Sequence, residues 1–138
     1  VSTLFNKHSG VLGVSGVSSD MRDILNAKNE GNDRARLAWE MYQYKVLKYI
    51  SSYVGVLNGV DAIVFTGGVG ENRTEIREYV CKQLDYLGLK IDYDLNRDAR
   101  AQEVLLSTPD SKVKVCVIPT DEEFMIASDT LEIVNQSN

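Results

Sequence analysis

The residues best suited to chemistry lie in "VFTGGVGENRTEIREYV", Val64 to Val80, where Gly67, Gly68 and Gly70 stand between an apolar run and a helical pattern. Glycines in that place let bare backbone approach a ligand at the positive end of a helix, which suits an anion such as a nucleotide phosphate. Two familiar nucleotide motifs are absent. A Walker A loop ends in Gly-Lys-Ser/Thr, and here the last glycine is followed by Glu71 and Asn72. A Rossmann fingerprint needs a glycine where Arg73 stands. Spacing alone leaves two readings open, a nucleotide seat and a strand-to-helix turn whose glycines serve packing. Asn72 and Glu75 have the spacing of a capping box, which accounts for both as structure and leaves Glu71 without a structural role.

A second constellation is "TDEEF", where Thr120 and Glu123 again have capping-box spacing. Asp121 and Glu122 remain as first-turn carboxylates, favoured there by the helix dipole and also able to face a magnesium ion held by its waters. A third is "SSDMRD", where Arg22 between two aspartates can meet a phosphate or form a surface ion pair. His8 is the only histidine, so a mechanism needing two within this chain is excluded.

These groups need elements to hold them. The Gly/Ser-rich residues 1–19 read as strand ends and loops, and Ser18 and Ser19 before Asp20 as the N-cap of a short helix. From Asp33 to Leu57, Ala35, Ala38, Trp39, Tyr42, Val46, Tyr49, Ile50, Tyr53 and Leu57 recur at helical spacing, so a long helix with an aromatic-rich packing face is predicted. Ala62 to Phe65 is a short continuous apolar run, expected of a strand covered on both faces. The next helix presents Ile76, Val80, Leu84 and Leu87 and stops at Gly88. "LKIDYD" reads as a short strand, "NRDARAQEVLLSTPDS" as a weaker helical stretch, and "KVKVCVIPT" as a strand. A final helix has Phe124, Ala127, Leu131 and Val134 on its inner face. Such alternation predicts an α/β domain with helices packed on a sheet.

Bulk properties narrow the class. A chain of 138 residues suits one compact domain, and 43% apolar with 25% charged residues is that of a folded globular protein, with only the polar tail Gln136 to Asn138 reading as disordered. A net charge of −5 with interleaved signs disfavours a nucleic-acid partner. There is no membrane-spanning run and no signal peptide at the start, so no membrane partner and a cytoplasmic location are expected. Cys81 and Cys116 lack a CxxC or a nearby histidine and are expected to be reduced, buried thiols.

Together, "NKHSGVLGVSGVSSDMRD", "GVDAIVFTGGVGENRTEIRE" and "SKVKVCVIPTDEEFMIASDT" resemble the C-terminal domain of the acetate kinase family, in the family's order and over nearly the whole chain. The resemblance implies an α/β ribonuclease H-like domain of the actin-like ATPase kind, a mixed sheet with packed helices, from the superfamily of acetate and sugar kinases, heat-shock 70 proteins and actin. It implies reversible phosphoryl transfer between ATP and acetate, giving ADP and acetyl phosphate, with magnesium or manganese. It puts Asp20, Met21 and Arg22 against the adenosine, puts Gly68, Val69, Gly70, Glu71 and Asn72 in the nucleotide loop, and makes Glu122 the magnesium-associated carboxylate. Residues 1–138 then correspond to the C-terminal nucleotide-binding domain of a two-domain kinase and homodimer. Its N-terminal domain, with the acetate pocket and the catalytic arginine, histidine and aspartate, has no counterpart in this chain. No catalytic residue is therefore expected here, and the chain alone is expected to be inactive. A propionate or butyrate kinase and a non-catalytic nucleotide-binding module are the alternatives.

Overall fold

The Gly/Ser-rich start, predicted to be strand ends and loops, folds instead into two short helices, α1 (Ser2–Lys7) and α2 (Gly10–Ser15). The structure is a computed structural model that describes residues 1–136; Ser137 and Asn138, the end of the polar tail, lie outside the described residues. The reason for helix in α2 is tertiary. Val11 and Val14, one turn apart, pack on a buried cluster, and Arg34 donates from Nε to Val14 O (3.0 Å) and from Nη2 to Gly13 O (3.3 Å). Carbonyls at a helix end need such donors.

Helix α3 (Met21–Asn29) begins where predicted, but its cap is Asp20 rather than Ser18 or Ser19: a carboxylate oxygen of Asp20 accepts from Arg22 N at 2.7 Å. Ser18 supports the cap from outside, accepting from Asp20 N (3.0 Å) and donating to Asp23 Oδ2 (2.7 Å). Helix α4 (Asp33–Val56) is capped by Asn32, whose Oδ1 accepts from Ala35 N at 2.9 Å. Its predicted stripe divides in two. Ala35, Ala38 and Trp39 are buried and Val46 and Ile50 half-buried, whereas Tyr49, Tyr53 and Leu57 face solvent.

Strand β1 (Ala62–Phe65) leads into α5 (Gly67–Asn72) and α6 (Thr74–Gln83). Helix α6 ends at Gln83, earlier than predicted; a separate 3-10 turn, Asp85–Leu87, then ends at Gly88 in the left-handed conformation. After α7 (Tyr93–Asp98) come β2 (Val104–Leu105), β3 (Lys114–Val117) and α8 (Glu122–Gln136). The sheet order is β1-β3-β2, with β3 parallel to β1 (Ile63 opposite Val115, Phe65 opposite Val117) and antiparallel to β2. The expected α/β class and mixed sheet are therefore present. Three local expectations are corrected. Strand β1 lies at a sheet edge and buries only Ile63 and Phe65, so Val64 is half exposed. The stretch predicted as a weak helix is helical only to Asp98; β2 and Leu106 then pair with β3, because Leu106 finds full burial there. "LKIDYD" contributes a single bridge, Ile91 to Ser107.

Helix α6 holds the two halves of the core together. Val80, Cys81 and Leu84 pack toward the sheet with Ile63, Phe65, Val115 and Val117, while Ile76 packs with Ile24, Ala38 and Trp39 of α3 and α4. Both cysteines are free, as expected; Cys81 is buried, whereas Cys116 is only half-buried. Helix α8 differs from expectation: Phe124, Ala127, Leu131 and Val134 are all exposed, and the helix buries no residue. No helix among the described residues is long and apolar enough to cross a membrane.

Candidate functional site

The glycine segment is not an open loop. After Thr66 in extended conformation, Gly67 adopts φ 68°, a region that side chains disfavour, and the chain turns at once into the six-residue helix α5. Gly70 faces back onto the strand: a Cβ there would stand 3.1 Å from the Phe65 carbonyl carbon and 3.4 Å from its Cα. A methyl there would press on the end of β1, which would have to give by a few tenths of an ångström. Gly68 and Asn72 lie away from that contact, with Asn72 Nδ2 donating to Gly68 O at 3.0 Å, while Val69 is half-buried against the Met21–Ile76 cluster and still reaches a cavity beside it.

Across from α5 stands the start of α3. Gly68, Val69 and Asn72 on one side and Asp20, Met21 and Arg22 on the other line a cavity of about 660 Å³. Two further residues complete it, Arg73 and Arg100. The volume falls in the range of small-molecule sites. Its walls combine an apolar side chain at Met21, bare backbone at Gly68, and three guanidinium groups.

Charge within the cavity is organised. Arg22 Nε lies 3.1 Å from both Asp20 oxygens and Nη2 lies 2.7 Å from Oδ2. Hydrogen bonds from the Arg22 side chain and then from its backbone N–H hold the Asp20 carboxyl at about 2, and the same pairing raises Arg22. Asp20 thus offsets Arg22. Arg73 and Arg100 carry the positive charge that remains, which favours a polyanionic guest. Sequence reasoning missed both. Arg73 figured only as the residue that breaks a Rossmann fingerprint, and Arg100 lies 28 positions beyond Asn72 with no local pattern to mark it.

Two of the eight anticipated nucleotide residues do not line this cavity. Gly70 packs on Phe65 as described. Glu71 is 8% exposed, and its Oε1 accepts from Thr120 N (2.9 Å) and Thr120 Oγ1 (3.0 Å). The residue that spacing left without a structural role therefore ties α5 to the segment before α8. Neither predicted capping box forms. Arg73 occupies the cap position of α6 without a side-chain cap bond, leaving Asn72 on Gly68 instead. At α8, Thr120 is taken by Glu71, and Asp121 caps the helix: its Oδ1 accepts from Phe124 N (3.0 Å) and its carbonyl from Met125 N (3.2 Å).

Glu122 is exposed in the first turn of α8 and lies on a separate open hollow with Thr120, Asp121, Met125 and Ile126. Among the described residues no group of three or more His, Cys, Asp or Glu side chains converges to hold a metal. A single exposed carboxylate is no all-protein cage, and Glu122 does not line the cavity between Asp20–Arg22 and Gly68–Asn72; it suits only a hydrated magnesium ion brought in by phosphates, the usual habit of that ion.

A family model described as the acetokinase family matches residues 1–128. The chain belongs to the acetokinase family. It is 57% identical over 136 residues to the acetate kinase of Bacteroides thetaiotaomicron, covering 99% of this chain and 34% of that protein. The crystal structure of Porphyromonas gingivalis acetate kinase superposes with a TM-score of 0.87 at 53% identity, over 96% of this chain and 33% of the other. A propionate kinase from Francisella tularensis subsp. tularensis gives a TM-score of 0.77 at 37% identity, over 91% and 32% of the two chains. The chain thus spans about a third of the length of the relatives it matches. Its fold is that of the acetokinase family, the actin-like ATPase fold with a mixed sheet and packed helices, as the resemblance implied.

Proposed function

We propose that this chain forms the nucleotide-binding side of an acetate kinase, the C-terminal domain of a two-domain enzyme that moves a phosphoryl group reversibly between ATP and acetate. One observation carries the reading: six residues from two separate segments, Asp20 to Arg22 and Gly68 to Asn72, converge on one cavity. Met21, Gly68 and Val69 offer the apolar and bare surfaces that a base and ribose need. Arg73 and Arg100 offer charge for phosphates.

Phosphoryl transfer is catalysed chiefly by positioning and by stabilising charge from several sides at once. This chain supplies one of those sides. Magnesium, when bound with the nucleotide, spreads the charge developing on the phosphoryl oxygens, and Glu122 is the carboxylate that would meet its waters. Acetate and its catalytic groups belong to the partner domain. An enzyme using ATP and acetate works where those metabolites are held, which favours the cytoplasm. The exposed Met41, Tyr44, Tyr49 and Tyr53 of α4 offer area for a homodimer.

Calorimetric titration of the chain with Mg-ADP and Mg-ATP is the test. One site per chain is expected, with no more than trace acetyl phosphate in a hydroxamate assay. No binding at millimolar nucleotide would sink the reading. A propionate kinase is the second reading, favoured by the likeness to the Francisella protein; acyl-chain competition in the two-domain enzyme separates the two.

A further inference from the structure

Arg77 of α6 has a side chain fully removed from solvent, and no carboxylate is among its hydrogen-bond acceptors. A buried charge of that kind is costly unless every donor is satisfied. Here every donor is. Nε donates to Asn96 Oδ1 (2.8 Å), Nη1 to Gly70 O and Glu71 O (2.8 Å each), and Nη2 to Asn96 O (3.0 Å) and Ala99 O (2.6 Å). All five N–H groups of the guanidinium are used. Asn96, equally buried, is itself fixed by donating from Nδ2 to Thr74 O at 3.1 Å.

The acceptors belong to two stretches that wall the cavity. Gly70 and Glu71 lie in α5, which brings Gly68, Val69 and Asn72 to the cavity. Ala99 ends α7 and directly precedes Arg100. An apolar residue at 77 would pack the same space without joining these stretches, so the guanidinium is there for the join.

We propose that Arg77 is a positioning residue for the nucleotide cavity, its buried guanidinium clamping α5 to the Ala99–Arg100 turn so that Arg100 stands on the cavity wall as a further phosphate-binding group. The proposal rests on the reading of the cavity as a nucleotide site. It explains why a guanidinium is kept where it is hardest to bury. Burial pulls the Arg77 guanidinium below its ordinary range, and the positive charge of Arg100 adds to that.

The test is a double-mutant cycle on Mg-ADP affinity, measured by calorimetry on the whole chain at a temperature where circular dichroism reports every variant folded. Arg77→Lys keeps the charge but puts its donors on one nitrogen, too compact to span both stretches, and is expected to weaken binding about tenfold. Arg100→Gln is expected to weaken binding about fivefold alone and less than about twofold in the Arg77→Lys background, because the clamp it depends on is already gone. Val115→Ala, in the sheet core away from the cavity, serves as the control for lost stability and should leave affinity unchanged. If Arg77→Lys does not fold, Asn96→Ser removes one acceptor with the guanidinium in place and enters the same cycle. Multiplicative effects of the two arginine substitutions, or an equal affinity loss in Val115→Ala, would overturn the proposal. Failure of the unsubstituted chain to bind Mg-ADP would overturn the nucleotide reading, and this inference with it.

Discussion

Replacing Glu71 separates its part in the structure from any part in holding nucleotide. Its Oε1 receives two hydrogen bonds from Thr120, at 2.9 and 3.0 Å, in a place only 8% exposed, where water cannot readily substitute. A hydrogen bond to an ionised group contributes about 1.5–3 kcal/mol. The two bonds share one oxygen and one partner residue and do not add fully. Glu71→Ala is therefore expected to cost about 3 kcal/mol, since the Thr120 amide and hydroxyl are left without their acceptor. For a chain of this length that lowers the melting temperature by about 10 °C. Glu71→Gln keeps an oxygen acceptor without its charge, so the loss should be nearer to about 1 kcal/mol. Differential scanning calorimetry reads both values, and hydrogen exchange should show the Thr120 amide losing protection in the alanine variant. Mg-ADP affinity, measured below both transitions, should change less than about threefold, because the carboxylate points to Thr120 and not into the cavity. A glutamine variant with unchanged melting and affinity reduced about tenfold or more would refute this reasoning.

Other expectations follow from the same geometry. Gly70→Ala forces a methyl against the Phe65 backbone, which cannot retreat because Phe65 O accepts from Ile118 N at 3.0 Å. Overpacking of about 1–3 kcal/mol, offset by about 1 kcal/mol of helix propensity, leaves a net loss near 1 kcal/mol in urea unfolding. Gly68→Ala meets nothing within 4 Å and should not destabilise, but it should weaken nucleotide binding because it narrows the cavity. Burial pushes the Cys81 thiol up to about 12, so iodoacetamide at pH 8 should leave it unmodified until the chain unfolds. The sign of the linked effect is clear: the raised value contributes stability below the ordinary thiol value of 9.0, lost as pH rises toward 12. Asp20 behaves in the opposite sense. Its carboxyl, held at about 2 by Arg22, contributes stability above its ordinary 3.8 that is lost as pH falls through 2. Asp20→Asn keeps a capping side chain and should flatten urea-unfolding stability across that window, and an unchanged acid dependence would show that the pair contributes nothing.

How much was legible in the sequence depends on how far each residue's partner lies along the chain. Helix α4, the short strand β1, the Ile76 and Val80 face of α6 and the left-handed turn at Gly88 were readable, since periodicity and turn chemistry are local, but the exposed end of the α4 stripe, the open face of β1 and the early end of α6 at Gln83 were not. The first helices were not: α2 forms because Arg34 reaches back 20 residues to its last carbonyls. The two capping boxes failed differently: Asn72 turned to a carbonyl four residues back, Gly68 O, whereas the other lost its residue to a distant partner. Thr120 had the correct spacing to Glu123, yet Glu71, 49 residues earlier, competes for it and wins with two bonds in a nearly dry place.

For the site, the sequence by itself determined the chemistry on offer: glycines that let backbone approach, an aspartate and arginine at a helix start, a carboxylate at the last helix. Tertiary structure alone decided which of these meet. It brought Asp20, Met21 and Arg22 to Gly68, Val69 and Asn72, turned Gly70 and Glu71 away into packing, and added Arg73 and Arg100. It also left the apolar residues of α8 in solvent although their spacing is that of an inner face. The physical reason is the same throughout. Spacing along a chain says which face a side chain shares, whereas hydrogen-bond partners and burial depend on what the fold brings against that face.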